Sequence, residues 1–140
     1  MSKPISTRAG RPPRDEVDMA VDALRRSIGR MITLLGHEDL DIAQRAYRPL
    51  VELGASTVVG PLSSALPRAR SPRHRGFIVM LLLEFAAVEK ARVLRALTLA
   101  LHREQEPLLK ASIQFALTHT ILTDIVDLAG TPGREATYQA

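Results

Sequence analysis

From Asp15 onward the apolar residues of this chain fall at Val17, Val21, Leu24, Ile28, Met31 or Ile32, and Leu35. Steps of three and four place them on one helical face. The same period returns along the chain, so a set of amphipathic helices is the architecture the sequence permits. Asp15 is placed to cap the first helix, expected over 15–35, with Gly36 as a left-handed residue that stops it. Asp39 begins a second helix whose stripe is Ile42, Ala46, Leu50 and Leu53. Gly54 ends it, and Pro49 predicts a kink near residues 45 to 49. A short helix follows over 56–66 through Val58 or Val59, Leu62 and Leu66. Ser71 and Pro72 supply an N-cap and a first-turn proline for a helix over 71–87. That helix is apolar nearly all round, which requires cover on more than one side. Another runs over 89–102 through Val93, Leu94, Leu97 and Leu101. Pro107 opens one through Leu108, Leu109, Ile113, Ala116 and Leu117, and Thr120 is positioned to cap a last one closed by Gly130.

Size and composition agree with this reading. At 140 residues the chain has the length of one domain, and 46% apolar content with 4% aromatics and no Trp requires a core of Leu, Ile, Val and Ala. The absence of cysteine excludes disulfides and thiolate chemistry. The longest apolar block, FIVMLLLEFAAV at 77–88, is interrupted by Glu84 and too short to span a bilayer, and no apolar run follows Lys3 as a secretory signal requires. These features predict no membrane association and a cytoplasmic location. The expected organisation is a disordered basic leader over 1–14, a helical repeat domain over 15–130, and a disordered tail over 131–140.

The net charge of +4 is unevenly spread. Residues 1–14 hold Lys3, Arg8, Arg11 and Arg14 without an acid, and the loop PRARSPRHR at 67–75 holds Arg68, Arg70, Arg73 and Arg75 without an acid. Together they hold eight of the 19 basic residues, leaving 11 basic against 15 acidic residues elsewhere. The basic character thus sits in a tail and a loop. Both have the charge to track a phosphate backbone, although neither segment itself contains a Phe, Tyr or Trp for base stacking.

Overlaying the segments reveals a repeat. Residues 34–66 form an acidic turn, a helix with small residues and a proline, a glycine turn and a shorter helix; 71–101 follow the same plan, and a third, shorter copy starts at Glu104. Leu53-Gly54 overlies Phe85-Ala86, and PLSSAL overlies ALTLAL. The Asp39-Leu40-Asp41 turn, the alanine- and proline-bearing helix, Leu53-Gly54, and Val59, Leu62 and Leu66 resemble HEAT repeats, over roughly residues 21–129. Ile42-Ala43 and Gln44-Arg45 depart from that pattern. The resemblance implies an all-α fold, a short right-handed α-solenoid of about three antiparallel helix pairs, whose concave groove binds other macromolecules. Exposed end helices of such a stack invite self-association. At the N-terminus, Gly10-Arg11-Pro12 resembles the centre of an AT-hook, with Ala9 where that motif has its first arginine. The resemblance implies minor-groove contact by Arg8, Gly10, Arg11, Pro12 and Arg14.

No catalytic signature emerges. His37, His74, His102 and His119 are dispersed, without the spacing of a metal pair. His37 with Glu38, Asp39 and Asp41 has the donors for a cation, but an acidic helix start favoured by the macrodipole explains those residues completely, and Gly54 and Gly60 are too isolated for a phosphate loop. Glu84 is the carboxylate marked for burial with a raised pKa, unless it faces out or pairs with Arg48 or Arg92. An enzyme reading would rest on Glu84 or Asp124. The expectation is a non-enzymatic scaffold without cofactor or metal that binds a protein. The alternative is a nucleic-acid-associated protein using the N-terminal arm and the 67–75 loop.

Overall fold

The computed structural model describes residues 13–122, and every regular element among them is a helix. The helices are α1 (Pro13–Leu34), α2 (Leu40–Leu53), α3 (Ala55–Ala65), α4 (Pro72–Glu84) and α5 (Lys90–Arg103), with a short 3-10 turn, Leu66–Arg68, after α3. A sixth helix, α6, covers 107–122 and reaches the last described residue. No helix among the described residues is long and apolar enough to cross a membrane. The leader residues Arg8, Gly10, Arg11 and Pro12, the tail 131–140, Asp124 and Gly130 lie outside the described residues.

Helix starts follow the capping chemistry of the sequence. Asp39 accepts from the Asp41 N–H at 3.0 Å, and its own N–H donates to Nδ1 of His37 at 2.9 Å. This turn geometry engages both side chains at the helix start. Ser71 accepts from the His74 N–H at 3.0 Å, and Pro72 occupies the first turn. Pro49 lies inside α2, which continues from Leu40 to Leu53. Gly54, at φ 92°, joins α2 to α3 through a backbone conformation that side chains resist.

Four expected helix ends or caps differ in the structure. The first helix begins at Pro13, so Asp15 is a first-turn acid that favours the helix dipole rather than a cap. Gly36 has no positive φ; glycine is required there because an added Cβ would stand 2.6 Å from Nδ1 of His74. The His74 ring crosses that gap to donate from Nε2 to the Ile32 carbonyl at 2.7 Å. Thr120 caps nothing among the described residues. It is buried inside α6, and its hydroxyl donates to the Ala116 carbonyl at 2.8 Å, so the helix runs on without a break. α4 stops at Glu84, where the Phe85 N–H bonds the carbonyls of Leu81 and Leu82.

One hydrophobic cluster extends from Ile28 in α1 to Ala116 in α6. Ala43, Ala46 and Leu50 of α2 are buried, as are Val58, Val59 and Leu62 of α3 and Val93, Ala96 and Leu97 of α5. α4 is covered on several sides: Ile78, Val79, Leu81 and Leu82 are all buried, while Met80 is 56% exposed. Packing joins helices that are neighbours in the chain and also those two apart: α1 with α3, α2 with α4, and α3 with α5. The first stripe divides midway. Ile28, Ile32 and Leu35 enter the core, whereas Val17, Val21 and Leu24 are exposed.

Candidate functional site

The four arginines of the 67–75 loop do not converge. Arg75, on the first turn of α4, is committed internally: its Nε and one amino group meet the two carboxylate oxygens of Glu104 at 2.8 and 2.9 Å. Its other amino group donates to the carbonyls of Ala69 and Arg70 at 3.1 and 3.0 Å. The Glu104 side chain is only 3% exposed. Burial opposes its charge, but the Arg75 hydrogen bonds and the N–H groups of Glu106 and Gln105 outweigh that cost and hold its carboxyl below the usual range. Arg75 thus clamps the 66–71 link and the α5–α6 turn onto the start of α4. Arg73 donates to the His37 carbonyl, on the opposite side of α4's first turn. Arg68 and Arg70 line a third place, a cleft of about 750 Å3 shared with Arg25, Thr33 and His74. Arg14 lies in the first turn of α1.

A different set of arginines does converge. Helix α5 carries Lys90, Arg92, Arg95 and Arg103 and no acid between residues 90 and 103. Arg92, Arg95, Leu99 and Arg103 follow one another at three- and four-residue steps, and Ala96 stands four residues from Arg92 and three from Leu99, which puts them on one face. That face lines a cleft of about 570 Å3 between α5, α3 and the 66–69 turn. Leu66, Ala69, Ala96, Leu99 and Ala100 give the cleft its apolar lining, and Leu99 is 54% exposed. Arg92 and Arg95 stand toward one end, and Arg103 with the Arg75–Glu104 pair toward the other. From Arg92 to Arg103 is three turns, about 16 Å along the axis.

Charge within the cleft is incompletely neutralised. Arg92 pairs with Glu89 at 2.8 Å and Arg75 with Glu104, while Arg95 and Arg103 form no ion pair among the described residues. Arginine guanidinium groups beside an apolar floor suit a ligand that is apolar in the middle and carboxylate-bearing at its ends, because a fork of N–H donors pairs with carboxylate in two bonds. The volume falls within the range that holds a small ligand or several side chains of a docking helix.

The groups proposed for chemistry are placed otherwise. Glu84 is exposed at the end of α4, as its outward-facing alternative expected. Its charge and the partial burial of Tyr47 raise the pKa of the Tyr47 phenol, burial being the larger cause. Tyr47 meets Phe77 edge to face at 6.3 Å, a packing role. Among the described residues no three His, Asp or Glu side chains are grouped to hold a metal ion. The α5 stripe was legible in the sequence as four basic residues and no acid over fourteen positions. Summing charge over the whole helical body, which is net acidic, conceals it. No protein-family model, curated protein or solved structure matches this chain.

Proposed function

We propose that this chain is a non-enzymatic, cytoplasmic helical-repeat scaffold, a short right-handed α-solenoid of about three antiparallel helix pairs. On this reading it resembles HEAT repeats, and it binds another protein through the arginine-rimmed cleft of α5. Packing between helices two apart supports the stacked arrangement, with α1, α3 and α5 in one layer and α2 and α4 in the other. The observation that carries the function is the α5 face itself, with unpaired Arg95 and Arg103 either side of exposed Leu99. The ligand is an acidic amphipathic segment, a helix whose acids are about three turns apart around a leucine stripe.

The test is fluorescence anisotropy with a labelled peptide of that design and a scrambled control, on the wild-type chain and on a variant carrying Arg95→Glu with Arg103→Glu. Binding in the micromolar range that weakens about tenfold or more in the variant supports the proposal. Equal affinity for the scrambled peptide, or indifference to the variant, ends it. The second reading, nucleic-acid association, draws on Arg25, Arg68 and Arg70 sharing one cleft, with Arg8, Arg11 and Arg14 as an N-terminal arm. An A·T-rich duplex in the same assay tests it. Salt-sensitive retention that needs Arg68 and Arg70 but not Arg95 and Arg103 favours that reading.

A further inference from the structure

We infer that the N-terminal half of α1 is a self-association arm that pairs antiparallel with the same segment of a second copy. From residue 15 to residue 27 every residue of α1 is exposed, and burial begins only at Ile28. Over that length, about 20 Å, the helix has no core to support it. A helix so short is marginal in water unless an apolar face is covered. The face exists: Val17, Val21 and Leu24 are 59%, 39% and 42% exposed and continue the line of Ile28 and Ile32, which do enter the core.

Charge identifies the occupant. Asp15, Glu16, Asp18 and Asp22 fill the first part of α1, and Arg25, Arg26 and Arg30 the second. A parallel copy would set acids against acids. An antiparallel copy sets the acidic half of each helix against the basic half of the other, and a two-fold axis near Val21 makes the contact self-complementary. Val17 then meets the partner's Leu24, and Val21 meets the partner's Val21. Asp18 and Arg25, seven residues apart, flank the stripe on the same side, so each Asp18 faces the partner's Arg25 and the reverse. The contact is small, which predicts a reversible dimer with dissociation in the micromolar range.

Sedimentation velocity on the full 140-residue chain, from about 1 to 300 µM, tests the arm. The wild type is expected to shift from monomer to dimer across that range. Asp18→Arg alone and Arg25→Asp alone should each weaken the dimer by about tenfold or more, and the two changes together should restore it. Both positions are exposed, and circular dichroism of each variant confirms that the fold persists. Dimerisation unaffected by either single reversal overturns the antiparallel pairing. A wild type that stays monomeric throughout overturns the proposal and assigns the stripe to the chain's own remaining segments or to a different protein.

Discussion

Two stretches of this chain each carry four basic residues, and they end in opposite circumstances. In the 67–75 loop the arginines are dense in sequence but dispersed in space: Arg75 is bound to Glu104, Arg73 reaches the His37 carbonyl, and Arg68 and Arg70 line a separate cleft. In α5 they are spread over fourteen residues, yet Arg92, Arg95 and Arg103 border one cleft. The difference is geometric. The 67–75 stretch passes from a 3-10 turn through a short link into the first turn of α4, so its arginines leave from different elements, whereas a single helix returns every third or fourth side chain to the same face. Periodicity therefore predicts a shared surface better than local charge density does.

The comparison breaks most visibly at Arg75. Arg75→Met should lower unfolding stability by about 3 kcal/mol, because it leaves the Glu104 carboxylate buried without its partner. A urea titration reads the loss. Arg70→Met, in the same loop and exposed, is the control. If both changes cost the same, the loop's arginines are equivalent and the contrast fails.

Acid should reveal the same clamp. Since the folded state holds Glu104 below its ordinary pKa, the clamp's stabilisation is fully present above about pH 4.3, the unfolded value, and is lost as pH falls through the lower folded value. Glu104→Gln should flatten this part of the stability profile between pH 5 and pH 2, roughly the range over which a depressed carboxylate titrates. Denaturant midpoints across that range, for wild type and variant, measure it. An unchanged acid slope would place the sensitivity elsewhere.

Gly36→Ala sharpens the comparison from the neighbouring side of α4. Its Cβ would force the His74 ring away from Ile32, at a cost of about 1 to 3 kcal/mol. Thermal denaturation checks this. Displacing His74 opens the cleft that Arg68 and Arg70 line and should leave binding at α5 unchanged.

The smallest stability effects are expected on α5 itself. Arg95→Ala and Arg103→Ala should shift stability by no more than about 0.5 kcal/mol, as exposed unpaired residues do, while weakening the acidic peptide. A pair of residues that matter for binding and not for folding is what distinguishes this stripe from the loop.

Much of the architecture could be read in advance because helices announce themselves locally. The stripes through Leu50, Val59 and Leu62, and Val93 and Leu97 are buried as their spacing required, and Asp39 and Ser71 cap where their side chains can reach the free N–H groups. The errors arose where a local pattern has two solutions. Gly36 reads as a left-handed stop, but the approach of His74, nearly forty residues on in sequence, is what excludes a side chain. Thr120 reads as a cap, but its hydroxyl also bonds within a helix, and burial in α6 chose that form. Nothing local states that the stripe of Val17, Val21 and Leu24 would be left outside the core.

By itself the sequence determined the all-α class and most of the helices, because backbone hydrogen bonds and apolar period act within a few residues. Tertiary structure alone decided which cations are spent and which are left over. Ion pairing depends on distances across the fold, such as the 2.8 Å between Arg75 and Glu104, that no local pattern contains.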